Sequence, residues 1–238
     1  MASTELQSWK SHFPAGDLWV FGYGSLIWKP PPHYDQRVAG YIKGYVRRFW
    51  QPTTAITDGK CSHISSTDHR GTPEAPGRVV TVIERSFWES LSDPQQDLER
   101  TTDRSLVWGA AYHIPASHAE EVSAYLDDRE IDGYSVHYTP FYPCSSSKND
   151  EAQSAAGLQS RKCLVYIGLP SNTQFVREPA LREPDAIAEV IYASRGQSGE
   201  NKDYLYALET ALEGLGLGSS DVHVTDLVRR VKALEQGG

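Results

Sequence analysis

Six short runs constrain this chain more than any other feature in it. Leu18–Tyr23, Val38–Trp50, Arg78–Glu84, Leu106–Ile114, Tyr134–Tyr142 and Lys162–Leu169 are apolar or alternating, and rich in Val, Ile, Tyr and Trp. Side chains that branch at Cβ or carry rings pack well on a pleated surface, so each run reads as a strand. Four helices are expected, at Ser117–Ile131, Pro184–Arg195, Asn201–Leu215 and Ser220–Gln236. Pro184 suits a first-turn position, Ser220 an N-cap, and Gly133 the residue just past a helix end. Strands that mostly precede the helices predict an α+β fold: one mixed six-stranded sheet, open or closed into a barrel, with flanking helices. Three polar stretches, Pro52–Ser66, Ser86–Ser105 and Cys144–Arg161, read as surface loops.

A chain of 238 residues can bury a sizeable core. Residues 18–238 are expected to form one domain, preceded by an N-terminal extension over residues 1–17. The 23 Lys and Arg against 31 Asp and Glu give a net charge of -8. With no basic stripe to neutralise phosphates, no nucleic-acid partner and no anionic-membrane partner are expected. No run approaches the roughly 20 apolar residues that span a bilayer, and the first 17 residues lack the apolar core of a signal peptide. Cys61, Cys144 and Cys163 are odd in number and widely spaced, as suits a reducing, cytoplasmic setting.

The segment LWVFGYGSLIWKP, Leu18 to Pro30, is apolar on both sides of two glycines. An ordinary turn would use Asn, Asp or Pro. Glycines flanking an aromatic suggest backbone that approaches something closely, in a φ > 0 conformation or with amides free to hold an anion. The stretch is neither a phosphate-binding P-loop nor a dinucleotide fingerprint, since GK[ST] and a third glycine are missing. A tight turn between a strand and a packed segment fits the same residues. On the helix Ser117–Ile131, Val122, Leu126 and Glu130 recur every four residues, so Glu130 continues the apolar stripe, while Asp127 and Asp128 point elsewhere, toward solvent. Partial burial and the negative end of the helix dipole would both raise the Glu130 pKa toward the range of a general base. An ion pair with Arg129, or with another arginine at the helix end, also fits the position.

Other residues have two readings. Arg78 opens a strand beside a turn, either to meet a substrate carboxylate or as a surface arginine. Of Arg47 and Arg48, one is expected to face inward and the other water. Tyr166 fits a pocket or the core, and Glu121 offers a second carboxylate on the Glu130 helix. Cys61, His63, Asp68 and His69 match no standard metal spacing, so no metal is expected. SRGQSGEN before a helix reads as N-capping, by Ser198 or Asn201.

Taken in order, VFGYGSLIWKPPPHY, YVRRFWQ, STDHRGTPEAPGRVVT, AYLDDREIDGY, LVYIG and SRGQSGENKDYL resemble the motifs of the ChaC family, the glutathione-specific γ-glutamylcyclotransferases. The likeness runs from Trp19 to about Lys232, and its departures are confined to the three loops. It implies a γ-glutamylcyclotransferase-like fold and conversion of glutathione to 5-oxoproline and Cys-Gly. By this resemblance Glu130 is the catalytic glutamate, Val20, Phe21, Gly22, Tyr23, Gly24, Ser25 and Leu26 form the substrate-binding loop, and Tyr166 is a pocket tyrosine. Arg78 joins them as a substrate-binding candidate. No cofactor is expected, glutathione is the expected partner, and the protein is expected to act as a monomer. Two alternatives stand beside this: a cyclotransferase for other γ-glutamyl amino acids or amines, and a non-catalytic protein that binds a γ-glutamyl metabolite.

Overall fold

The computed structural model describes residues 8–53, 70–97, 106–129, 134–144, 160–172, 175–216 and 221–237. Its strands are β1 (Leu18–Gly22), β2 (Gln36–Lys43), β3 (Tyr45–Pro52), β4 (Arg78–Glu84), β5 (Leu106–Ile114), β6 (Tyr134–Pro143), β7 (Arg161–Gly168), and the two-residue β8 (Arg195–Gly196) and β9 (Gly199–Glu200). Helices are α1 (Ser8–His12), α2 (Arg85–Trp88), α3 (Ala119–Arg129), α4 (Pro184–Ala193), α5 (Asn201–Glu213) and α6 (Val222–Gly237). A 3₁₀ turn at Ser25–Ile27 follows β1. The α+β class holds.

The sheet closes. Strands run β1-β5-β2-β6-β7 around a barrel, closed by β7 lying parallel to β1 with Val20 opposite Leu164. The expected single strand Val38–Trp50 is two strands, because Gly44 breaks it with φ +84, a conformation glycine adopts without steric cost. β2 therefore stays in the barrel, while β3 leaves it to pair with β4 as a separate antiparallel ribbon. Five strands make the barrel and two the ribbon, in place of one six-stranded sheet. The ribbon is fastened to the barrel where the Gly168 amide donates to Thr81 Oγ1 at 3.0 Å.

β3 is buried over Val46–Gln51 on both faces, and this corrects the expectation for the paired arginines. Neither faces water. Arg47 donates to Asp221 Oδ2 at 2.7 Å and to the Trp108 carbonyl. Arg48 donates to Asp93 Oδ2 at 2.7 Å, and Trp88 Nε1 donates to the same oxygen at 2.6 Å. Breaking a buried pair of this kind by removing one partner costs about 3–5 kcal/mol. Part of the stretch expected as a surface loop is thus core: Trp88, Asp93 and Gln95 are buried. Wholly buried His223 accepts from the Phe49 amide through Nε2 and meets Gln95 Oε1 through Nδ1, which fixes the proton on Nδ1. Burial first, then Arg48 and Arg47, lowers its pKa well below that of an ordinary histidine.

The start of α6 is capped by Asp221, whose Oδ1 accepts the amides of His223 and Val224 at 3.1 and 3.2 Å. The expected cap, Ser220, lies outside the described residues, as do Gly133, residues 54–69, 98–105 and 145–159 of the three loops, and the Cys61–His69 cluster. In the N-terminal segment, Trp9 and Phe13 are buried in the main core. No helix among the described residues is long and apolar enough to cross a membrane.

Candidate active site

β1 is buried along its whole length and paired with β5 and with β7, so Val20 and Phe21 lie in the barrel wall that leads into the glycine loop. Neither Gly22 nor Gly24 has positive φ, and the expectation of a left-handed turn is corrected. Glycine is needed for space. A Cβ on Gly22 would stand 2.5 Å from Leu26 Cβ, and one on Gly24 would stand 2.8 Å from Val80 Cγ1 and 3.2 Å from Tyr204 Oη. The loop folds onto itself at one glycine and against β4 and α5 at the other. The carbonyls of Gly24 and Ser25 accept from Ile27 (2.9 Å), Trp28 (3.1 Å) and Lys29 (2.8 Å). The 3₁₀ turn has no side-chain cap at its start, so its leading amides point out as donors.

Two side chains hold this loop, and a third ties the strand and helix beside it. Tyr23 donates its hydroxyl to the Tyr166 carbonyl at 2.7 Å, tying the loop to β7. Arg129, 6% exposed, donates to Ser25 Oγ at 2.9 Å and to the Lys29 carbonyl at 3.1 Å. Tyr166, itself buried, donates its hydroxyl to Asp127 Oδ1 at 2.8 Å. Asp127 is therefore half-buried and bonded to β7, while Asp128 is exposed as expected. The Ser25 hydroxyl is engaged by a guanidinium, an arrangement unlike an activated nucleophile beside a base. The end of α3 is thus bonded to the glycine loop through Arg129. Glu130 follows Arg129 in the chain and lies outside the described residues.

Arg78 approaches from the ribbon. Alternate residues share a strand face, so Arg78 lies on the face of Val80, the residue nearest Gly24. It is 7% exposed. Nη1 donates to the Gly77 carbonyl at 3.2 Å, and Nε has no hydrogen-bond partner among the described residues. Burial lowers its pKa, yet arginine stays protonated in proteins. A buried cation with an open donor suits an anionic ligand group. Its backbone is clamped by Asn201, fully buried at the start of α5: Oδ1 accepts the Arg78 amide at 2.7 Å and Nδ2 donates to the Arg78 carbonyl at 2.8 Å. Asn201 was expected to cap its own helix; it serves β4 instead, and α5 starts without a side-chain cap.

Sequence reasoning missed Arg129, Asn201 and Tyr204 as parts of the site. AYLDDREIDGY contains Arg129 in plain view, but a partner 104 residues away leaves no local trace. Trp28 was missed as well; it sets its ring edge-on to Tyr204 at 5.3 Å. The donor set that could hold a metal among the described residues is separate from all of these: His33, His118 and Glu121.

These features define a class: an α+β barrel protein in which a glycine loop, a buried arginine and the end of a helix meet between barrel, ribbon and helices. A family model described as ChaC-like protein matches residues 18–234. A Schizosaccharomyces pombe protein named glutathione-specific gamma-glutamylcyclotransferase is 40% identical over 223 residues, covering 94% of this chain and 96% of its own. A Saccharomyces cerevisiae protein of the same name is 37% identical, with 88% and 91% covered. A crystal structure of the yeast γ-glutamyl cyclotransferase specific to glutathione is similar with a TM-score of 0.72 at 33% identity, covering 91% of this chain and 96% of that one. The chain belongs to the ChaC-like family.

Proposed function

We propose that the protein is a glutathione-specific γ-glutamylcyclotransferase with Glu130 as its general acid and base. The observation that carries the substrate assignment is the near full-length identity, 40% over 94% of the chain, to a relative of that name. The bonds from Arg129 to Ser25 and Lys29 bring the end of α3 to the loop, which supports assigning the next residue in the chain, Glu130, as the base.

The reaction asks little of the protein in covalent terms. The α-amine of the γ-glutamyl unit attacks its own δ-carbonyl, the ring C–N bond forms, and the bond to the cysteine nitrogen breaks. The attacking nitrogen passes from ammonium to lactam N–H and so sheds two protons; Glu130 takes each in turn and hands it to the departing nitrogen, which leaves as the ammonium of Cys-Gly. The nucleophile is already in the substrate, so the step calls for no cofactor and no metal. Holding the chain folded supplies much of the acceleration, since well-oriented internal reactions reach effective molarities on the order of 10⁵–10⁸ M. The leading amides of the Val20–Leu26 loop and the Arg78 guanidinium hold substrate anions, and Tyr166 fixes Asp127 at the wall of the site.

The matched span, residues 18–234, supports one catalytic domain over 18–238 after an N-terminal extension. The protein acts in the cytoplasm, as a monomer; the net charge of -8 supports the absence of nucleic-acid and membrane partners. The test is incubation of pure protein with glutathione and, separately, with γ-glutamyl-alanine, followed by assay of 5-oxoproline. Product from glutathione alone is expected. Product from γ-glutamyl-alanine at a similar rate would favour the broader cyclotransferase, and none from either would leave a binding protein.

A further inference from the structure

Three donor side chains outside all the contacts above converge ahead of the barrel's second strand. His33 lies between the 3₁₀ turn and β2, His118 immediately precedes α3, and Glu121 is in its first turn. One ligand atom from each lies within 4.8 Å of the others. The Val122 amide bonds the His118 carbonyl at 2.9 Å, so His118 and Glu121, three residues apart, share a helix face. His33 has φ +59, uncommon without glycine, and its ring is stacked on that of His118 with centroids 4.2 Å apart and planes at 6°.

The spacings bring all three donors within reach of one ion. His33 Nε2 stands 3.5 Å from Glu121 Oε1, and His118 Nδ1 stands 3.4 Å from Glu121 Oε2. Both are long beside charge-assisted hydrogen bonds of about 2.7–2.9 Å. Each histidine faces a different oxygen of the one carboxylate, and the donors must draw in modestly to reach the edge, about 3.3–3.6 Å, of a tetrahedron whose centre bonds nitrogen and oxygen at about 2.0–2.2 Å. Two imidazoles and one carboxylate form a donor set that suits zinc, with a fourth position for water.

We propose that His33, His118 and Glu121 bind a divalent cation of the zinc class. A metal lies in the plane of each imidazole that ligates it, so one of the stacked rings turns about its Cβ–Cγ bond on binding, a broad torsion. The two histidine side chains are 42% and 40% exposed, which leaves room for that turn. The bound ion joins the segment that follows the glycine loop to the first turn of α3. The last residue of α3, Arg129, already holds the loop itself at Ser25 and Lys29. The site therefore clamps the loop and helix as one unit and takes no part in the proposed proton transfers.

The test uses tag-free, full-length protein stripped with a chelator, titrated with zinc by calorimetry and with cobalt(II) by absorption. A single site is expected, weakened about tenfold or more in His33→Ala and in Glu121→Gln, since even outer-shell losses reach that scale. The cobalt spectrum should show nitrogen and oxygen ligation without a thiolate charge-transfer band. Zinc should raise the thermal midpoint of the parent and leave the His33→Ala/His118→Ala double variant unmoved, with circular dichroism verifying that each variant is folded. Absence of uptake by the parent, equal uptake by parent and variants, or a thiolate band would overturn the assignment.

Discussion

Replacing Arg78 by methionine separates a ligand-holding cation from a structural one, because the two roles change stability and activity in different directions. The guanidinium is 7% exposed, and its Nε has no hydrogen-bond partner among the described residues. A charge buried in this way costs the unliganded fold free energy. Exchanging buried ionic groups for apolar ones of similar volume is neutral or stabilising by about 1–4 kcal/mol. The lost bond from Nη1 to the Gly77 carbonyl, 3.2 Å long, subtracts about 1 kcal/mol. The net expectation is an unfolding free energy between about 1 kcal/mol lower and about 3 kcal/mol higher. A substrate carboxylate held by the guanidinium would lose about 1.5–3 kcal/mol, a factor of about 10 to 150 in KM or kcat/KM. Urea unfolding reads the first quantity and 5-oxoproline formation from glutathione the second. A variant well over about 1 kcal/mol less stable than its parent, with the parent's KM, would make Arg78 a structural brace and refute the reasoning.

Gly24→Ala places a Cβ 2.8 Å from Val80 Cγ1 and should cost about 1–3 kcal/mol by overpacking, with loss of activity; Val80→Ala in the same chain should recover part of both. Purely additive effects in that double-mutant cycle would show that the two residues do not meet. For pH, the sign is set by His223: its folded pKa lies well below 6.5, so under acid the unfolded chain binds a proton that the native one refuses. Its contribution is therefore complete above pH 6.5 and is lost as pH falls below it, at up to about 1.4 kcal/mol per unit until the folded pKa is reached. Urea unfolding at pH 7.5 and 5.5 should show a shallower loss in His223→Gln than in the parent, and equal slopes would contradict the reading.

Much of the fold was legible because strand patterns are local. Arg78–Glu84 and Leu106–Ile114 match β4 and β5 to the residue. Val38–Trp50 read as one strand because apolar residues flank Gly44 on both sides, and only its left-handed backbone sends β3 out of the barrel. Solvation was harder to read than structure. One of Arg47 and Arg48, and Asp127, were expected in water because charged residues usually have it, whereas here Asp221, Asp93 and Tyr166 supply partners to Arg47, Arg48 and Asp127 from 174, 45 and 39 residues away. In the site, the glycine loop and Arg78 stood out as motifs. Their supports did not: Asn201 looked like a helix cap because its bonds to Arg78 span 123 residues. His33 and His118 likewise gave no spacing signal, being 85 residues apart in the chain.

The most direct test of the central claim compares the parent with Glu130→Gln, which preserves shape and hydrogen bonding but cannot accept the proton. Both are titrated with glutathione by calorimetry and assayed for 5-oxoproline. The account predicts binding by both and a loss of turnover of about 10²-fold or more in the variant, the scale of a missing general base. A folded Glu130→Gln protein that still turns glutathione into 5-oxoproline at nearly the parent's rate would contradict it.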